Sequence, residues 1–192
     1  FEVLAQDNVA RFKELGVKKI ITLSPHAFNA FKNHYPAYGG DFSVFHYTHI
    51  LGDLLKAGRI SLSNGIHAKV AYHDPCFLGR WNDEYEMPRK ILKAVPGADL
   101  VEMEKNREGA LCCGGGGGNF QIDLLGGSEN SPARRRVREA YETGATVLAV
   151  ACPKCLIMLE DAAKAEGIEE KLSVRDISEI VKTSCGIEGF TL

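Results

Sequence analysis

Short apolar runs alternate along this chain with longer stretches in which apolar residues recur every three or four positions. The first pattern suits buried strands and the second amphipathic helices. Strands are expected at Lys18–Leu23, Phe42–His46, His67–Tyr72, Asp99–Glu102, Thr146–Ala151 and Leu172–Arg175. Helices are expected at Asp7–Leu15, Pro25–His34, Thr48–Ala57, Glu86–Val95, Pro132–Thr143, Pro153–Glu166 and Asp176–Thr183. Pro25, Pro132 and Pro153 stand where a first helical residue would, behind Ser24, Ser131 and Cys152. The alternation predicts an α/β fold with a mainly parallel sheet flanked by helices, because parallel neighbours need a crossover between them. Functional groups in such sheets gather at the carboxyl ends of the strands.

An internal repeat refines this picture. Gly16–Phe28 aligns without gaps on Gly144–Leu156 at an offset of 128, so that Ser24 takes the place of Cys152 and Ala27 that of Cys155. Ser43-Val44, Thr48 and Ile50-Leu51 then match Ser173-Val174, Ser178 and Ile180-Val181 at an offset of 130. Residues 1–63 are accordingly expected to be the second half of one unit and residues 64–192 a complete second unit. The boundary falls in Gly58–Gly65, where Gly, Ser and Asn collect. On this reading the front half of the first unit precedes Phe1, and a chain opening on Phe rather than Met is expected to be a piece of a longer polypeptide.

Composition narrows the function. With 45% apolar residues among 192, the chain can bury a core. Its 23 Lys+Arg nearly balance 25 Asp+Glu, leaving no overall field to attract nucleic acid or an anionic membrane. The longest mainly apolar stretch, Ala145–Cys152, is far short of the roughly 20 residues a bilayer requires, so no direct membrane span is expected. The six cysteines, Cys76, Cys112, Cys113, Cys152, Cys155 and Cys185, are too few and too unevenly placed for a secreted disulfide scaffold. Adjacent cysteines such as Cys112 and Cys113 bond to each other only with strain. A reducing, cytoplasmic setting with thiolates used as ligands or redox groups is the expectation.

Cys76 and Cys152 both follow predicted strands, so they converge at strand carboxyl ends. Cys152 is placed to cap a helix and Cys155 to lie in its first turn, where free backbone N–H groups and the helix dipole favour thiolate. Cys112-Cys113 runs into five glycines, Gly114–Gly118, which free the backbone to approach a bulky ligand closely. A phosphate loop does not fit, since Asn119-Phe120-Gln121 follows rather than GK[ST]. A redox dithiol at Cys152-Pro153-Lys154-Cys155 would leave Cys76, Cys112 and Cys113 unexplained. Zinc and an iron–sulfur cluster both remain compatible with the thiolates.

At these residues the sequence resembles a known family. The order is His73-Asp74-Pro75-Cys76, 35 intervening residues, Cys112-Cys113-Gly114, and then Cys152-Pro153-Lys154-Cys155 with 38 residues between Cys113 and Cys152. This arrangement is similar to the cysteine-rich CCG domain. That domain occurs in heterodisulfide reductases, in the iron–sulfur subunit of glycolate and lactate oxidases, and in related anaerobic respiratory oxidoreductases. Tyr85–Gly97, Glu102–Arg107 and Leu111–Gly118 carry the same resemblance, which spans about Ala71–Val181 and, through the repeat, Ile20–Leu55. It implies tandem CCG units, the first one truncated here, and a [4Fe–4S] cluster of the noncubane kind held by Cys76, Cys112, Cys113, Cys152 and Cys155.

The implied role is an electron-transfer subunit of an iron–sulfur oxidoreductase, able to reduce a thiol or disulfide substrate. A zinc-stabilised interaction module using the same cysteines is the alternative. The implied partners are ferredoxin-type, flavoprotein or membrane cytochrome subunits, through which the chain would associate with a membrane. No catalytic residue is singled out. Two departures from the family pattern stand out. Ser24 and Ala27 cannot supply thiolates, so a first-unit cluster is absent or altered. The second cysteine gap is slightly long, an excess assigned to Leu124–Ser131.

Several other residues have two readings. His73-Asp74 either supplies a proton or hydrogen bond to a cluster sulfur or caps a strand end. His26, the counterpart of Lys154, is expected on a helix surface. Arg134-Arg135-Arg136 is expected to be an exposed helical turn or a docking patch for an acidic redox partner. Arg80 and Trp81 either line an entrance to the cysteines or pack, and Cys185 is expected to be a free thiol outside the motif.

Overall fold

The computed structural model describes residues 1–122 and 127–187. Within the stretch assigned to the longer cysteine gap, residues 124–126 lie outside the described residues, as do 188–192 of the second unit. The first helix, α1 (Glu2–Glu14), leads into β1 (Lys19–Thr22) and α2 (Pro25–Asn29). A π-helical turn (Ala30–His34) and a 3₁₀ turn (Tyr35–Tyr38) follow, then β2 (Ser43–His46) and α3 (Tyr47–Lys56). Helix α1 begins five residues before the expected Asp7. Its buried residues Ala5 and Val9 pack with Tyr35, so the docked face extends to the first turn.

The remainder builds a second sheet from β3 (Ala68–Tyr72), β4 (Ala98–Val101), β5 (Val147–Val150) and β6 (Ser173–Asp176). Its helices are α4 (Glu86–Ala94), the short α5 (Asn119–Ile122), α6 (Pro132–Glu142), α7 (Pro153–Ala165) and α8 (Ile177–Ser184). Every strand pairing is parallel, as the alternation predicts. The strand order is β4-β3-β5-β6, with β1 and β2 forming a separate two-stranded sheet.

Successive residues of β5 feed opposite layers, which explains why its sequence is apolar without alternation. Leu148 and Val150 pack with Val137 and Ala140 of α6 and with Leu159, Ala162 and Ala163 of α7. Val147 and Ala149 join Ile91 and Leu92 of α4 and Ile177, Ile180 and Val181 of α8 on the other face. The chain leaves β3 towards β4 and leaves β5 towards β6 in the opposite direction. The crevice at the carboxyl ends of β3 and β5 is therefore a topological switch point.

The pairing of β1 with β2 repeats that of β5 with β6. Lys19, Ile20, Ile21 and Thr22 face Ser43, Val44, Phe45 and His46. At offsets of 128 and 130, Val147, Leu148, Ala149 and Val150 face Ser173, Val174, Arg175 and Asp176. The following helices also start alike. His46 N–H donates to His49 Nδ1 at 3.2 Å, and Asp176 N–H donates to Glu179 Oε2 at 2.8 Å.

His46 is fully buried. Its Nε2 lies 3.2 Å from the Leu23 carbonyl, which can only accept, so Nε2 carries the proton and Nδ1 accepts from Thr48 Oγ1 at 2.8 Å. Burial is the main cause that lowers its pKa to about 4. The folded state thus resists a proton that the unfolded chain takes up below about pH 6.5. Stability from this group is present above pH 6.5 and is lost as pH falls towards 4. Urea unfolding is expected to show about 2 kcal/mol less stability at about pH 5 than at 7.5 on account of His46, a difference that His46→Gln removes.

Candidate metal centre

All five motif cysteines meet at the switch point. Strand β3 continues as His73, whose N–H donates to the Ala149 carbonyl at 2.9 Å, and then turns through Pro75 into Cys76. Strand β5 ends one residue before Ala151-Cys152, and Cys152 is the N-cap of α7 with Pro153 in its first turn. The sheet itself therefore brings two corners together that are 76 residues apart in sequence.

The third corner is tied on by side chains. Arg80, just beyond Cys76, donates to the Glu108 carbonyl at 3.2 and 3.0 Å and to the Ala110 carbonyl at 2.8 Å. Asp74 accepts from the Arg107 N–H at 2.8 Å. These bonds fasten the segment leading into Cys112-Cys113 onto the segment carrying Cys76. Asp74 is itself gripped by Arg89, at 2.6 and 2.9 Å, and the second edge of that buried guanidinium meets Glu102 at 2.7 and 2.9 Å. This bond pattern gives both sequence stretches that flank the cysteines, around Arg89 and around Glu102–Arg107, a structural reason.

Cys113 Sγ lies 3.3 Å from Cys155 Sγ, and the Gly114 N–H points at Cys112 Sγ at 3.3 Å. Cys76, Cys112, Cys113, Cys152 and Cys155 all line one pocket, close enough to act on one another's protons. Within it the proton affinities split. Hydrogen bonds from the thiols of Cys113 and Cys76 pull Cys112 down to about 2, and the bond from Cys155 pulls Cys152 to about 5. The same bonds push Cys76 and Cys155 up, and Cys113 to about 12. Five thiolates this close repel one another, so some keep their protons. A bound cation would reverse that preference and release them.

Two glycines of the run have identifiable tasks. Gly114 holds φ at +77°, a left-handed conformation, while a Cβ on Gly115 would sit 2.9 Å from Met158 Cγ and 3.7 Å from Cys113 Sγ. Among the described residues nothing lies within 4 Å of the corresponding position on Gly116. Gly115→Val is therefore expected to displace the Cys113 corner and cut metal content at least about threefold, whereas Gly116→Ala leaves it unchanged. Metal analysis of the two purified variants checks this.

One wall of the pocket comes from the first part of the chain, where sequence reasoning placed only a surface. Pro25 and His26 line it together with the cysteines, Phe77 and Lys154. The His26 ring stacks on Phe77 at 4.1 Å, and Phe77 stacks on the exposed Trp81 at 5.8 Å. Arg136 departs from expectation too: it is fully buried rather than exposed, though Arg135 does face solvent. Cys185 sits away from the site at the end of α8, half-buried among the residues beneath α4 and α8.

The family model described as a cysteine-rich domain, CCG, matches residues 70–160, which contain all five convergent cysteines. Residues 70–160 belong to the CCG domain family. Relatives carry the resemblance beyond the CCG domain to nearly the whole chain. FadF of Bacillus subtilis, named as an iron–sulfur-binding oxidoreductase, is 41% identical over 184 residues, which are 96% of this chain and 26% of that protein. EtfAB:quinone oxidoreductase of Syntrophomonas wolfei is 37% identical over 94% of this chain and 26% of its own length. One subunit of the Methanosarcina barkeri heterodisulfide reductase is 36% identical over 96% of this chain and 45% of its own length. The chain thus spans between a quarter and a half of the length of these relatives.

Proposed function

We propose that this chain is the portion of an electron-transferring iron–sulfur oxidoreductase that holds one [4Fe–4S] cluster of the noncubane kind, bound by Cys76, Cys112, Cys113, Cys152 and Cys155. The observation that carries this reading is the convergence of five thiols in one pocket at the switch point of a parallel sheet. The donor set fits: soft thiolates in excess of the four that zinc takes, with a glycine run that admits a bulky group. Such a cluster supplies one-electron transfer. The chain's own part is to fix the thiolates from three corners, to lend backbone N–H groups from Gly114 and the start of α7, and to exclude water with Pro25, Phe77 and Met158.

The names of the relatives, two oxidoreductases and a membrane-anchored ferredoxin, support redox partners for this chain, which the proposal takes to be of the ferredoxin, flavoprotein or membrane cytochrome type. Among the described residues no helix is long and apolar enough to cross a membrane; membrane association through such partners is part of the proposal. Whether a thiol or disulfide reacts at the site or electrons only pass through it is decided by mixing the reduced protein with small thiols and disulfides. A paramagnetic spectrum that shifts with thiol supports reaction at the cluster; an unperturbed spectrum with rapid oxidation by an artificial acceptor supports relay. We favour relay, because Ser24 and Ala27 stand where a second CxxC would be.

The repeat reading, with residues 1–63 as half of a degenerate unit and 64–192 as a complete one, is part of the same proposal. Identical strand registers and matching helix starts support it, as does Ser24, which caps α2 through the Ala27 N–H at 3.4 Å where Cys152 begins α7. In this arrangement the degenerate corner no longer binds a cluster and instead offers Pro25 and His26 to its neighbour's site.

A further inference from the structure

His73 is fully buried next to the cysteines, and its two ring nitrogens are in different situations. Arg136 Nε donates to Nδ1 at 3.1 Å, while Nε2 is buried with no hydrogen-bond partner among the described residues. A guanidinium has only N–H groups to offer, so Nδ1 must present its lone pair, and the single proton of the neutral ring sits on Nε2. Arg136 cannot turn away, since its Nη1 is held by the Lys105 carbonyl at 2.6 Å and Glu139 at 2.8 Å. Burial, and next the charge of Arg136, lower the imidazole pKa to about 3, in keeping with a neutral ring.

A ring nitrogen of His73 lies within 4.8 Å of the sulfurs of Cys113 and Cys155, a grouping that by distance alone could be a three-ligand metal site. The tautomer argues otherwise. A neutral imidazole binds a metal through a lone pair, and the lone pair of His73 is already given to Arg136. What remains on the open nitrogen is a proton. A buried donor without an acceptor costs about 1–3 kcal/mol, so its presence here points to an acceptor that arrives with the bound group.

We infer that His73 is a positioning residue that donates its Nε2–H to a sulfur of the metal centre, with Arg136 fixing the tautomer that makes it a donor and not a ligand. This rests on the cluster reading above. A hydrogen bond to sulfur stabilises the more negative, reduced state and so raises the reduction potential. His73 and Arg136, 63 residues apart, thereby act as one device for tuning the centre.

The test uses anaerobically purified, iron-loaded protein labelled with ¹⁵N-histidine. Hyperfine spectroscopy of the reduced state is expected to show an exchangeable proton coupled to the centre and only a weak nitrogen coupling. The histidine nitrogen coupling should persist in His26→Phe and vanish in His73→Phe together with its share of the exchangeable-proton signal, while the protons of the backbone N–H groups at Gly114 and the start of α7 remain. In His73→Phe the midpoint potential should fall at unchanged iron content. A strong, directly bonded nitrogen coupling assigned to His73 would overturn the inference, as would an iron-loaded protein with no histidine nitrogen coupling at all. Should His73→Phe fail to fold, wild type and His26→Phe still decide the matter. Protein that binds no iron would overturn the cluster reading along with this one, and is distinguished by its missing visible absorption.

Discussion

Cys155→Ser and Cys113→Ser are each expected to reduce bound iron from about four atoms per chain to below one, with loss of the visible spectrum. A serine hydroxyl keeps its proton at neutral pH and is a hard donor where iron–sulfur chemistry selects soft thiolate. These two positions also make a direct contact across corners, at 3.3 Å, so losing either sulfur loosens the glycine loop from helix α7. Cys185→Ser is the matched control, since its thiol packs among apolar side chains at the end of α8 and faces none of the other five. Equal iron loss in all three variants would mean that the ligand set is drawn wrongly.

The second large effect concerns folding. Asp74 and Arg89 are buried at 4% and 1% exposure, and Asp74 accepts three hydrogen bonds, two from Arg89 and one from the Arg107 backbone. Removing the carboxylate leaves a buried guanidinium with one carboxylate partner, Glu102, which lies nearer the surface. Asp74→Ala is expected to lower unfolding stability by about 3–5 kcal/mol, the cost typical of breaking a buried pair from one side. Asp74→Leu combined with Arg89→Met should lose less than the single variant, because it removes both buried charges together. Urea unfolding midpoints at constant slope report this. A loss under about 1 kcal/mol for Asp74→Ala would show that Glu102 alone suffices.

The sequence made much of this legible. The six strands and their parallel order of crossovers follow from period and punctuation, and β5 could be read from four consecutive apolar residues because both of its faces are covered. The convergence of the cysteines was legible through spacing, since Cys76 and Cys152 each follow a predicted strand and Cys112-Cys113 runs into the glycines. What escaped were charges on apolar faces. Arg136 follows Ala133 by three residues and precedes Ala140 by four, so helical periodicity places it with the buried side of α6. Reading the arginine triplet by composition hid that signal. His26 was not legible by any local rule, because the wall it forms depends on how the β1–β2 sheet docks beside Phe77, about fifty residues further on. The tautomer of His73 required the position of Arg136 on another element, which no periodicity reports.

The central claim is that five thiols at one switch point hold an iron–sulfur cluster. Measuring iron, acid-labile sulfide and zinc on the same anaerobically purified sample tests it most directly. The account predicts about four iron and about four sulfide per chain in a coloured protein. Stoichiometric zinc, with no sulfide and no colour, would contradict it and leave the cysteines as a structural zinc site.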